Sequence, residues 1–457
     1  MTTTAAGPLT ALRRLDLARA TSDPRVALTR ERLVHRGAVP DESIRTATRA
    51  ILADLRTDTA RGVRAANERF GGGLPDGRLV LDRATLANAR DRLDRATRQA
   101  LDAAIQNVRR FAETQRPVTT TTDIEPGVSI ERRWIPLERV GCYVPGGSAA
   151  YPSSLVMTVV PARVVGVGAI VVASPAGPDG TLDRVLLAAA GLLEVETFIV
   201  AGGAQAIGAL AFGLPDEGIT PVDRIVGPGN AWVTAAKLEL AAEVGIDLPA
   251  GPSEGLVLVD ATANPEWAAA DLLTQAEHGP QSPAILVTTD SAVADAVEAA
   301  MLRQLAGAAR REILGRALAA HGWIVLAADL DAAIGFVNDY APEHLSVDVA
   351  ELEPTVGQIR NAGSVFVGRW APESAGDYAT GANHVLPTGG LARACGALAV
   401  ESFGKYVQIQ RLSRDGLAGL RSTIGTLAVA EGLLAHRAAV EIRFADAPEG
   451  VPAGPGR

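Results

Sequence analysis

Three short runs decide the fold: AIVVAS (Ala169–Ser174), TFIVAGG (Thr197–Gly203) and DRIVGPGN (Asp223–Asn230). Each is rich in β-branched residues, each is followed by a glycine turn, and each turn leads into a helical stretch. Strands read this way when helices cover both faces of a parallel sheet, so that neither face needs polar residues. Strand, turn and helix recurring over about 30 residues per unit predict a parallel, doubly wound α/β domain. Downstream, GLVLVD (Gly255–Asp260), AILVTTD (Ala284–Asp290), WIVLAAD (Trp323–Asp329) and SVFVG (Ser364–Gly368) repeat the pattern and predict a second one. Upstream, Asp41–Phe70 and Asp82–Phe111 place apolar residues every three or four positions between charges, the period of amphipathic helices. Asp415–Val440 turns helical again, and the Pro/Gly-rich end, ADAPEGVPAGPGR, reads as a frayed tail.

The 457 residues are 47% hydrophobic and 21% charged, enough apolar material to bury several cores and too much for a disordered chain. A net charge of −9 lacks the basic footprint of a nucleic-acid binder. The most membrane-like stretch, Leu155–Ala176, is interrupted by Pro161 and Arg163, and buried strands explain it better than a span. Two cysteines, Cys142 and Cys395, offer no disulfide framework and no CxxC site, and the N-terminus lacks the apolar run of a secretory signal. The expected partner is a small molecule and the expected compartment the cytoplasm.

Chemistry concentrates in a few places. GGAQ (Gly202–Gln205) and GPGN (Gly227–Asn230) follow strands and precede helices, which aims backbone N–H groups at one point and suits a phosphate or nucleotide. No GxGxxG fingerprint accompanies them, and tight turns use glycine without any ligand. In DLLTQAEHGP, Gln275 and His278 stand three apart on one helical face and could share a metal. Asp377 and His384 fall in APESAGDYATGANHVLPT, which reads as a long loop, and His436 lies on the last helix. Glu343 and His344 adjoin in NDYAPEHLS, expected in a loop at the carboxyl side of a sheet, where His344 can accept a proton near neutrality and Glu343 can if its surroundings raise its proton affinity. On residue types alone these groups fit a metal hydrolase as well as a dehydrogenase.

Taken in order along the chain, GCYVPGG, GGAQAIGALAFG, GPGN, IDLPAGPSE, DLLTQAEHG, NDYAPEHLS, APESAGDYATGANHVLPT and EGLLAH resemble the histidinol dehydrogenase family. The resemblance spans roughly Arg132 to Arg443 and implies two successive NAD-dependent oxidations of L-histidinol, through the aldehyde, to L-histidine. It implies a homodimer with zinc held by Gln275, His278, Asp377 and His436, the last reaching into the partner subunit's site. It further implies His344 and Glu343 as proton acceptors, substrate contacts at Ser253, Gln275, His278, His344, Asp377, His384, Glu431 and His436, and NAD contacts at Tyr143, Gln205 and Asn230. The fold it implies is a pair of doubly wound, incomplete Rossmann-like domains with parallel sheets, flanked by helical N-terminal and C-terminal segments. The implied boundaries are an N-terminal segment 1–40, a larger α/β domain 41–141 plus 254–397, an NAD-binding domain 142–253, a C-terminal helical segment 398–445 and a disordered tail 446–457. Gly255 stands where the family usually carries a β-branched residue. A paralogue that oxidises another polyol, sulfonated diol or amino alcohol is the alternative; a zinc hydrolase and a non-catalytic binding module are more distant ones.

Overall fold

A computed structural model describes residues 11–146 and 151–445; the expected tail, 446–457, lies outside the described residues. In chain order the strands are β1 (Arg13–Asp16), β2 (Val80–Leu81), β3 (Thr120–Glu125), β4 (Val128–Pro136), β5 (Arg139–Tyr143), β6 (Ala169–Ser174), β7 (Thr197–Val200) and β8 (Arg224–Val226). They continue with β9 (Gly245–Ile246), β10 (Gly255–Val259), β11 (Ala284–Thr288), β12 (Gly322–Leu326), β13 (His344–Asp348), β14 (Ser364–Val367) and β15 (Gly404–Leu412). Two six-stranded sheets result, ordered β2-β7-β6-β5-β8-β9 and β1-β12-β11-β10-β13-β14. Their pairings are parallel except at β2, which runs antiparallel to β7. β1 and β2, the earliest strands, join their sheets at an edge; among the other five strands of each sheet the chain starts at a central strand, β5 or β10, works outward to one side and then returns to the other, as the doubly wound expectation requires.

Each sheet is covered on both faces. Successive residues of the first sheet alternate between two cores: Val140, Cys142, Val172 and Phe198 share one with Leu101, Ile105 and Val108 of helix Arg95–Thr114. Tyr143, Val171, Ala173 and Ile199 share the other with Leu52 and Leu55 of helix Glu42–Thr57 and Val63 of helix Thr59–Phe70. Burying each of these leucines contributes roughly 2 kcal/mol, so the helices of 42–114 are held to the 139–246 sheet. The boundaries above grouped 41–141 with 254–397; amphipathic spacing reveals that a helix face is buried but not which sheet buries it. The second sheet is sealed the same way, with Leu286, Ile324 and Leu272 on one face and Leu258, Val325 and Phe336 on the other.

Contacts divide the chain into two units: residues up to Arg116 with Pro136–Phe403, which hold both large sheets, and Pro117–Ile135 with the residues from Gly404 on. In the second unit β3, β4 and β15 form a sheet ordered β15-β4-β3, and helices Arg414–Ala430 and Leu434–Glu441 pack on each other. The expected C-terminal helical segment 398–445 therefore contains a strand, and only from Gly404 on does it share a unit with 117–135. Leu427, Val429, Leu433, Leu434 and Ile442 are exposed there. No helix among the described residues is long and apolar enough to cross a membrane.

Candidate active site

Three connections converge at the amino ends of β10, β13 and β14, where Gly255, His344 and Ser364 stand in register. Helix Leu330–Tyr340 ends at Ala341 in a left-handed conformation, Pro342 prevents its continuation, and Glu343 delivers the chain to β13. Glu343 and His344 thus sit at the amino edge of the sheet and not at the carboxyl side expected above. A helix that returns to a parallel sheet must arrive at the amino end of the next strand, and HLSVD is that strand.

Both side chains are buried. Glu343 Oε2 accepts the Glu254 amide at 2.8 Å, and the His344 amide donates to the Glu254 carbonyl at 3.1 Å, so one residue's backbone holds the pair. Glu254 is fixed in turn by Arg36, whose Nε donates to Oε2 at 2.6 Å while its guanidinium lies 3.3 Å over the Tyr340 ring. Burial, reinforced by the charges of Glu254 and Asp377, pushes the Glu343 carboxyl well above the usual carboxylate range. Burial, with His278 and His384 nearby, lowers His344 to about 3, which leaves its ring neutral. Glu343 Oε2 lies 3.7 Å from His344 Nδ1, and among the described residues neither ring nitrogen of His344 has a hydrogen-bond partner.

His344 is flanked by Phe366, at 6.1 Å between ring centroids, and by His278, at 6.0 Å. His278 caps the carboxyl end of helix Pro265–Glu277, which also carries Gln275. His278 Nδ1 lies 3.3 Å from the Gln275 carbonyl and 3.8 Å from Glu373 Oε1; a carbonyl only accepts, so in the tautomer that bonds it Nδ1 carries the hydrogen and Nε2 is free to bind a cation. One ligand atom each from His278, Glu373 and Asp377 lie within 4.8 Å of one another. The stretch read as a loop contains a helix, Glu373–Tyr378, which puts Glu373 and Asp377 one turn apart on the same face. Glu373 went unnoticed in the sequence because a six-residue helix among Pro, Gly and Ala leaves no periodic trace.

This cluster fits a divalent cation on its own chemistry. Glu373 Oε1 and Gln275 Oε1 are buried without a donor among the described residues. Burial and the charges of Asp377, Glu343 and Asp271 push the Glu373 carboxyl well up. A cation between such acceptors would satisfy the lone pairs and relieve the repulsion. Gln275 also donates to Ser253 Oγ at 3.3 Å. At Gly255 an added Cβ would lie 2.7 Å from Gln275 Oε1, so the glycine gives this side chain its place.

His384 is committed differently. Its Nδ1 lies 3.0 Å from the Asp377 carbonyl and its Nε2 3.1 Å from Ser154 Oγ, which engages both nitrogens with protein. Asn383 donates to the Met157 carbonyl at 2.8 Å, so the 379–390 segment is tied to helix Pro152–Val165 beyond β5.

The first sheet presents its carboxyl edge. Its order reverses between β5 and β8, the switch point at which doubly wound sheets open a crevice. Gly227 sits there with φ +113°, and an added Cβ would lie 2.1 Å from the Tyr143 carbonyl oxygen, so only glycine permits this approach. Asn230 is exposed and caps helix Ala231–Leu240, accepting from the Trp232 amide at 3.0 Å and the Val233 amide at 3.2 Å. Gln205 is buried in the first turn of helix Gly203–Phe212 and donates to Asn67 Oδ1 at 3.3 Å. Tyr143 packs in the core with its hydroxyl at the Gly203 amide, and burial pushes its phenol up to about 12. Glu431 and His436 belong to the second unit and are exposed.

A family model described as histidinol dehydrogenase matches residues 34–444. The histidinol dehydrogenase of Leifsonia xyli subsp. xyli is 44% identical over 421 residues, 91% of this chain and 95% of that protein. The histidinol dehydrogenase of Thermobifida fusca is 42% identical over 434 residues, 94% of this chain and 97% of that one. The crystal structure of histidinol dehydrogenase from Elizabethkingia anophelis shares 34% identity and superposes with a TM-score of 0.86, covering 95% of this chain and 98% of that one.

Proposed function

The chain belongs to the histidinol dehydrogenase family, and from that premise we propose that it oxidises L-histidinol to L-histidine in two NAD-dependent steps at the His278–His344 cluster. One observation carries the assignment to these residues: the metal-capable set His278, Glu373 and Asp377 adjoins a buried His344–Glu343 pair, with 6.0 Å between the two imidazoles.

Gln275, His278 and Asp377 would hold zinc, with His436 of the partner subunit as a further ligand. When bound, zinc would orient the substrate's nitrogens and NAD would accept hydride. The remaining work falls to the chain. In the first step His344 takes the hydroxyl proton as hydride leaves the carbinol carbon, giving aldehyde, NADH and one proton. In the second, Glu343 takes a proton from the water that adds to the aldehyde carbon; hydride then leaves the hydrate, whose remaining hydroxyl proton is released, giving carboxylate, a second NADH and two protons in all, the one on Glu343 included. The two affinities are pushed apart in the useful sense. His344 is a neutral acceptor that does not retain a proton, while Glu343, 3.7 Å away, binds one more tightly than an ordinary carboxylate. Ser253, Glu431 and His384 would contact the substrate, His384 after exchanging its Ser154 bond. Tyr143, Gln205 and Asn230 would line the NAD site: Tyr143 ends β5 and Asn230 follows β8 at the switch point of the first sheet, and Gln205 stands in the first turn after β7, where the Gly203 amide meets the Tyr143 hydroxyl.

The exposed apolar residues of helices Arg414–Ala430 and Leu434–Glu441 support a homodimer that covers them and delivers His436 to its neighbour. Free Cys142 and Cys395 support a reducing, cytoplasmic setting. Purified protein supplied with zinc and NAD should release two NADH per L-histidinol. A substrate panel that leaves L-histidinol inert while another amino alcohol or polyol turns over would move the protein to a different substrate.

A further inference from the structure

Lys237 and Asp247 form an ion pair that the chemistry above does not use, and both side chains are only 2% exposed. Lys237 lies on helix Ala231–Leu240 and Asp247 directly follows β9. The ammonium has three hydrogens and three acceptors: Asp247 Oδ1, the Gly227 carbonyl at 3.1 Å and the Leu248 carbonyl at 3.0 Å. The other carboxylate oxygen, Oδ2, accepts the Gly227 amide at 2.7 Å. Gly227 is therefore gripped at both its N–H and its C=O.

The gripped residues matter by position. Gly227 opens the GPGN turn that ends in Asn230, and Leu248 opens the segment that leads to Ser253 and Glu254. Thr234, on the same helix as Lys237, donates to the Ala250 carbonyl and adds a second tie to that segment. A glycine at φ +113° has no side chain to hold its conformation, so the turn depends on its hydrogen bonds. Stability alone gives little reason to bury such a pair, because desolvation offsets the attraction and apolar residues of similar volume often serve as well. An apolar pair cannot, however, fix the direction of two backbone dipoles.

We propose that Lys237 and Asp247 are positioning residues that lock the GPGN turn in its dinucleotide-receiving conformation and tie it to the segment bearing Ser253 and Glu254. The proposal rests on the assignment of that turn to the NAD site. The test uses the full-length, zinc-loaded protein with Lys237→Met, Asp247→Asn and the double variant Lys237→Met/Asp247→Leu. NAD binding is measured by calorimetry without substrate, and each variant's unfolding midpoint is recorded. Each variant should bind NAD about tenfold more weakly, since the bonds lost are charge-assisted. L-histidinol binding should weaken less than NAD binding, because the pair holds Gly227 directly and reaches Ser253 only through the Leu248 carbonyl. The double variant should regain stability over Lys237→Met without regaining NAD affinity, a split that a merely structural pair would not give. Should Lys237→Met fail to fold, Asp247→Asn and the double variant carry the comparison. NAD affinity within about threefold of wild type in the folded variants overturns the proposal. Asn230→Ala separates the two ideas: if it weakens NAD binding while the clamp variants do not, the cofactor assignment stands and the clamp fails. Unchanged affinity in all of them overturns both.

Discussion

Replacing His344 by Asn should selectively disable the alcohol step. The ring is 3% exposed, sits between Phe366 and His278, and has two nitrogens with no partner among the described residues. Burial, with the charges of His278 and His384 beside it, lowers its pKa from 6.5 to about 3, which makes an imidazolium costly in the resting site. The imidazole is therefore neutral across the working pH range, and any proton it takes is handed on, with Glu343 the nearest carboxylate. A positioned general base supplies about 10²–10⁴ in rate, and Asn, which cannot take the proton, should lose that factor in L-histidinol oxidation. Binding of NAD, which is assigned to the other sheet, should be unchanged. Stopped-flow absorbance at the NADH band, started once from L-histidinol and once from L-histidinaldehyde, separates the steps. A His344→Asn protein that is folded, zinc-loaded and still oxidises L-histidinol within about threefold of wild type would falsify the assignment.

Four further outcomes follow from the same geometry. Glu343→Gln should slow the aldehyde step at least about tenfold and the alcohol step less, which rates from the two starting substrates would compare. Asp271 is raised from 3.8 to about 6, chiefly by burial and then by the Asp348 charge. Its folded form thus holds a proton more tightly than its unfolded form and loses stability as pH climbs through that window, so Asp271→Asn should change little at pH 3.5 and stabilise by up to about 3 kcal/mol at pH 8. Urea melts at both pH values decide it, and a gain that does not grow with pH would count against the shift. Gly227→Ala should destabilise by about 2–4 kcal/mol, since the new methyl meets the Tyr143 carbonyl at 2.1 Å and the φ disfavours it; an unchanged unfolding midpoint would contradict this. Finally, an equal mixture of His278→Ala and His436→Ala subunits should recover about a quarter of wild-type activity, because half the dimers are mixed and each has one complete site; no rescue would argue against sharing of the site.

The sequence revealed the two sheets because strands buried on both faces, such as AILVT and AIVVAS, have a composition that little else produces. It hid β13 because HLSVD opens on His344, with Glu343 and Pro342 directly before it, and β1 because RRLD is mostly charged. KYVQIQRL carries a weak strand signal because only Tyr406, Val407 and Ile409 are half-buried and its other residues are exposed. At the site, Gln275 with His278, and Glu343 with His344, were visible as local pairs. What joins them is long-range: the register of β10 with β13, the six-residue helix that adds Glu373 to Asp377, and the Arg36–Glu254 brace across 218 positions. None of these leaves a periodic signal.

The amino-edge location of Glu343 and His344 has an architectural consequence. A doubly wound sheet ordinarily does its work where its strands finish, and three strands here run out into aspartates that could be mistaken for reactive acids. Asp260, Asp290 and Asp329 instead accept the amides of Thr262, Ala292 and Ala332, fastening turns and helix starts. The second sheet is employed back to front: its conventional outlet is given over to joinery, and its inlet carries the candidate site.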